Sequence, residues 1–94
     1  MWYNDYVENI NNQNIFWKGV FMFKKLVNEL GRLNPNLIFN LVNMPMGEVH
    51  LDIRGGASVP LKAILKLPPN WDFKQGGDQF ITNGRVDLHI VPLP

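Results

Sequence analysis

The 94-residue chain has no cysteine, one serine (Ser58) and one threonine (Thr82). Without cysteine there are no disulfides, no thiolate nucleophile and no cysteine-ligated zinc or iron–sulfur centre, so the fold must be held by packing or by assembly. Ser58 follows a glycine pair and belongs to no motif that would set a histidine beside it, so it reads as a turn residue. Neither sign of charge dominates: nine Lys and Arg against eight Asp and Glu give a net charge of +1. That is not the single-sign field by which nucleic acid or an anionic membrane would be bound. Apolar runs of membrane-spanning length are also missing. At the N-terminus Trp2, Tyr3, Asp5 and Glu8 stand where a secretory signal needs a basic segment and then an apolar one. No cofactor is implied, and the expected partners are protein: a second copy of this chain or a different protein, with no nucleic acid and no membrane.

What the chain does have is apolar surface, 46% of its residues, and aromatic rings, 12%. This is a globular composition, and 94 residues are enough for one core, so residues 1–94 are expected to form a single domain. Within it, residues 1–33 read as a helix and residues 36–94 as an antiparallel β region. On an ideal helix of about 3.6 residues per turn, Ile15, Phe16, Val20, Phe23, Leu26, Val27, Leu30 and Leu33 fall within an arc of roughly 140°. This is a core-facing stripe. A second series lies on the far side, where Tyr3, Val7, Ile10, Asn14, Trp17 and Phe21 recur in steps of four and three, the pattern of a coiled-coil seam. Two arrangements fit these residues. In one, the chain breaks at Asn11 to Asn14, Asn14 caps the main helix, and Trp17 and Phe21 tuck under a loop. In the other the helix is continuous and long, and the seam packs against other copies with Asn14 fixing register. Rings as bulky as Tyr3 and Trp17 then fit a trimer or larger bundle better than a dimer.

Gly31 and Pro35 mark the end of the helix, Gly31 as a candidate C-cap. Beyond them the apolar period changes to two. Glu48 to Arg54 sets Val49, Leu51 and Ile53 on one face, and Arg85 to Ile90 repeats the pattern. Asn83-Gly84 predicts a two-residue type I′ hairpin turn between Gln79–Thr82 and that last segment. Further strands are expected at Asn36 to Asn43 and at Val59 to Leu67, where Leu61, Ala63, Leu65 and Leu67 would face inward and Lys62, Ile64 and Lys66 outward. The fold class is therefore α+β, a long helix followed by four or five antiparallel strands as a sheet or small sandwich.

Chemistry-bearing residues are sparse. His50 and His89 lie on the charged faces of their strands, with Glu48, Asp52 and Asp87 two residues away. If the two strands pair directly, these groups cluster as a metal site or an acid–base pair; otherwise they are a solvated face that also carries Arg54 and Arg85. Gly55-Gly56 and Gly76-Gly77 lack the lysine, threonine or helix start of a phosphate loop. Lys18, Lys24, Lys25 and Arg32, offset by Glu29, read as a hydrated helix side. Trp71 and Phe73, after Pro68-Pro69, form an aromatic loop that either stacks on a ligand or caps the core. The pattern as a whole predicts a non-enzymatic structural or attachment module. Its alternatives are a monomeric adaptor or inhibitor that uses the helix aromatics, and a metal-dependent site on His50 and His89. A helical neck leading into a β head is similar in outline to the fibrous and receptor-attachment components of bacteriophage tails, a likeness of architecture that would place the chain in a virion.

Overall fold

Residues 20–33 are helical (α1) in the computed structural model, which describes residues 20–43, 48–56, 58–75 and 77–94. From Val20 onward the inner stripe behaves as its spacing dictates, its first two residues, Ile15 and Phe16, lying outside the described residues: Val20, Phe23, Leu26 and Leu30 are buried, Val27 and Leu33 half-buried, and Phe21, Lys24, Lys25, Asn28 and Arg32 exposed. Gly31 is an interior helical residue and not the C-cap. The helix closes at Asn34, whose N–H donates to Leu30 O at 2.8 Å, and the Leu37 N–H then donates to Asn34 O at 3.0 Å to turn the chain past Pro35.

Among the described residues the β region is one sheet of five strands: β1 (Ile38–Asn43), β2 (Val49–Arg54), β3 (Asp72–Phe73), β4 (Phe80–Thr82) and β5 (Asp87–Leu93), in the order β1-β2-β5-β4-β3. The expectation of an all-antiparallel sheet needs correction, because β2 and β5, the two strands that alternate most cleanly, lie side by side and run parallel. Each brings two fully buried aliphatic residues to the centre, Leu51 and Ile53 from β2, Leu88 and Ile90 from β5. The parallel register sets Leu51 against Ile90. Pro92 sits near the end of this central strand without breaking a ladder. Ile90 N–H donates to Gln79 O, so Pro92, two residues on, turns to the same side, beyond the end of β4, where no bond is lost.

A second correction concerns Val59 to Leu67. This segment is not a strand but a single helical turn, α2 (Leu61–Ile64), started by Pro60 and tied by Ala63 N–H to Pro60 O (2.9 Å) and Leu65 N–H to Leu61 O (2.8 Å). Leu61 and Leu65, four residues apart, are buried together, and Ile64, expected to face outward, packs on the core beside them. The strand that the sequence pattern does not reveal, β3, is only two residues long.

The hairpin between β4 and β5 is present, with its turn displaced by one residue. Thr82 pairs with Asp87, and Asn83 N–H donates to Val86 O, leaving Gly84-Arg85 as the two-residue loop. Gly84 takes φ of +93° at the first loop position, the requirement of a II′ rather than a I′ turn. Asn83 Oδ1 accepts the Arg85 and Val86 N–H groups at 2.9 and 3.0 Å, which anchors the residue outside the loop. The expected pairing, Thr82 opposite Arg85, differs from the observed one by two residues, so every side chain keeps its face. α1 and α2 cover one face of the sheet, where Phe23, Leu26, Leu30, Leu61 and Leu65 meet Leu51, Ile53, Ile81, Leu88 and Ile90. Among the described residues no helix covers the other face.

Candidate functional site

Of the six residues of the expected seam, Tyr3, Val7, Ile10, Asn14 and Trp17 lie outside the described residues. Phe21 is described, on the side of α1 turned away from the sheet and 58% exposed. The Lys25 ammonium stands 4.8 Å above its ring centroid, a cation–π contact one helical turn away. Lower on the same helix Arg32 binds Glu29 through both guanidinium and carboxylate edges. This pairing holds the Glu29 carboxyl below its ordinary range and raises Arg32. The outer side of α1 is thus polar except at Phe21 and its neighbour Met22.

The histidines lie on the uncovered face of the sheet. Alternation along β2 and β5 turns His50 and His89 outward because their neighbours Leu51, Leu88 and Ile90 go inward, and the parallel register sets the two histidines opposite each other. Their rings meet edge to face with centroids 4.8 Å apart, and Phe80, across on β4, stacks on His89 at 4.6 Å. Val42 of β1 stands on the other side of His50, so the row runs Val42, His50, His89, Phe80 across four strands. Its margin is an open cleft of about 500 Å³ with Glu48 and Asp87 at the rim.

The carboxylates do not converge on this pair. Glu48 Oε2 is 3.5 Å from His50 Nε2, but Asp87 is taken by Lys74, Nζ to Oδ2 at 2.7 Å, and Asp52 occupies the next row, between Asn40 and Val91. Lys74 is the main reason that the Asp87 carboxyl is held below its ordinary value. The single Thr82 hydroxyl proton is directed to Val86 O at 2.8 Å. Among the described residues no group of three His, Asp or Glu side chains could hold a metal ion.

Trp71 and Phe73 are half-buried and pack against the core. Trp71 lies against the flank of α1 in a shallow groove with Met22, Lys25, Leu26 and Glu29, and Lys62 of α2 stands 6.0 Å from the Phe73 ring centroid. Asn34, the buried polar residue at the end of α1, stands out by no periodic pattern in the sequence. Its amide nitrogen donates to Leu30 O (3.0 Å) and Lys66 O (3.1 Å), and its amide oxygen accepts Lys66 N–H (3.0 Å). It pairs with Lys66 as a strand backbone would, tying the end of α1 to the segment after α2. An asparagine just before a helix-stopping proline is the only signal, and it is a weak one. No protein-family model, no curated protein and no solved structure matches the chain.

Proposed function

We propose that this chain is a non-enzymatic module that assembles with copies of itself through the outer side of α1, and that the β region is the part it displays. The observation that carries the reading is Phe21. A phenylalanine 58% exposed on an otherwise polar helix side continues the step-four, step-three series that runs back through Trp17, Asn14, Ile10, Val7 and Tyr3. Covering the exposed part of this ring in a contact is worth about 1–2 kcal/mol per chain, which is enough to matter in a small assembly. In this reading the helix is long, the seam is a bundle of helices with Asn14 setting its register, and a trimer accommodates its rings. The biological setting we propose is attachment, a helical neck presenting a β head as in the fibrous and receptor-binding parts of phage tails.

The test is absolute mass in solution by light scattering after size exclusion, across a range of concentrations. A closed oligomer that Trp17→Ala with Phe21→Ala converts to smaller species is expected. A double variant of unchanged mass removes the seam. A wild-type monomer whose Trp17 and Phe21 are nonetheless accessible transfers the role to binding a different protein.

A further inference from the structure

A second self-contact, independent of the α1 seam, is suggested by the edge strand β1. The two edges of the sheet are built differently. At one edge β3 is two residues long, carries Asp72, follows Pro68-Pro69 and is succeeded by Lys74. These are the devices that keep an edge from pairing: shortness, proline and charge. At the other edge β1 is six residues, Ile38-Phe39-Asn40-Leu41-Val42-Asn43, with no charge, no proline and no glycine. Its register with β2 runs unbroken from Ile38 opposite Arg54 to Asn43 opposite Val49, so no bulge bends it away. Ile38 on this strand is 60% exposed.

We propose that β1 pairs antiparallel with β1 of a second copy about a twofold axis, joining the two sheets into one of ten strands. An antiparallel pair of identical strands closes on itself, so this contact ends at a dimer. The alternation of faces limits the register to pairings centred on a residue, and apolar matching selects among them. Phe39 and Leu41 lie on the covered side with Ile53 and Leu51, whereas Ile38, Asn40 and Val42 lie on the open side with Arg54, Asp52 and His50. Directly opposed residues in an antiparallel pair share a face, so Phe39 can meet Leu41 but not Val42 of the other copy. The pairing that matches both faces and covers Ile38 places Asn40 opposite Asn40 of the second copy. Phe39 then meets Leu41 on the covered side, and Ile38 meets Val42 on the open side. The two Asn40 amides face each other at the axis, and the nearest like charges, the two Asp52 carboxylates, are three strand spacings apart, about 14 Å. An edge of six residues makes a small interface, so the dimer is weak and concentration-dependent.

The axis supplies the test, because residue 40 meets its own copy there. Asn40 is exposed on the open face, opposite Asp52 of its own β2, so a thermal melt of each variant first establishes that its fold is kept. Asn40→Lys and Asn40→Asp, alone, each place like charges at the axis and, in the Trp17→Ala with Phe21→Ala background, are expected to shift the chain from dimer toward monomer. A 1:1 mixture of the two is expected to associate roughly tenfold more tightly than either alone. The Ala replacements at both seam positions remove the contribution of the α1 seam if it is present, and the seam itself is read separately from that double variant with Asn40 untouched. Amide exchange supplies the backbone readout: in the dimer the outward N–H groups of residues 38–43 gain protection with rising concentration. Masses that do not respond to Asn40→Lys or Asn40→Asp overturn the proposal. So does a mixture that fails to restore association or, with Trp17 and Phe21 both replaced by Ala, an assembly that grows beyond a dimer.

Discussion

The two faces of the sheet are made by the same strands and differ by one residue in register along each. On the covered face Leu51, Ile53, Ile81, Leu88 and Ile90 are fully buried beneath α1 and α2. On the open face their immediate neighbours His50, Phe80 and His89 form a row of rings beside water, Phe80 at 42% exposure. The covered face therefore holds the fold, and the open face and the outer side of α1 hold what the fold presents. The contrast is sharpest between adjacent residues. Ile90→Ala is expected to destabilise by about 3–4 kcal/mol, through lost transfer energy and a cavity the surroundings only partly fill. His89→Ala, one residue away, removes one ring from the row and is expected to cost less than about 1 kcal/mol. Urea denaturation of the two variants checks this, and comparable losses would mean that the open face is covered in solution.

The next largest effect is expected at Asn34, where the covered side is joined to the segment after α2. Asn34→Ala leaves the Lys66 N–H and C=O without their partner in a part-buried place, at a cost of about 1–3 kcal/mol. Asn34→Asp keeps the acceptor for Lys66 N–H but loses both donated bonds and buries a charge, so it is expected to be no better than alanine near neutral pH. Thermal denaturation reads both, at roughly 4–8 °C per kcal/mol for a chain of this size.

Gly55, where β2 leaves the sheet, closes the other end of the covered side. Its φ is +101°, and an added Cβ would stand 3.2 Å from Asn36 O and 3.5 Å from the Leu37 side chain. Gly55→Ala is expected to cost about 1–2 kcal/mol, from the backbone conformation first and the close oxygen second. Gly84 shares the positive φ but has open space around it, so Gly84→Ala isolates the conformational part. If the two variants lose equal stability in parallel melts, the Asn36 contact contributes nothing.

The alternation that distinguishes the faces is also what made them legible in the sequence. The buried side of α1, the inward residues of β2 and β5, and the hairpin before β5 all follow from apolar period and turn residues. Period fixes which way a side chain points but not which strand lies alongside or in which direction, so the parallel pairing of β2 with β5 could not be read from it. The segment from Val59 to Leu67 shows why short runs mislead. Leu61 and Leu65 satisfy a period of two and a spacing of four equally well, and Pro60 with the proline pair that follows favours a single helical turn. The ring row at His50, His89 and Phe80 is half legible: direct pairing of the two strands is one of the alternatives their pattern leaves open, but the separate capture of Asp87 by Lys74 depends on the short β3 and the loop after it, which carry no periodic signal. Asn34 acts through contacts 32 residues away in sequence, for which no local pattern exists.

The smallest effect is expected from that ion pair, and it bears on how far the open face is exposed to water. Asp87 is held below its ordinary value of about 3.9 by Lys74. A carboxylate whose value falls on folding adds stability that is fully present above its unfolded value and is lost as the pH drops through the folded one. The acid limb of the melting temperature, below roughly pH 4, should therefore be slightly shallower in Lys74→Met and in Asp87→Asn than in the wild type. Both groups are about half exposed, so the difference should shrink in high salt, as a solvated pair requires. If the double variant shows the acid limb of either single variant, the two side chains act as one pair. A wild-type acid limb that salt leaves unchanged would instead place Asp87 and Lys74 under a cover, on the face that holds His50, His89 and Phe80.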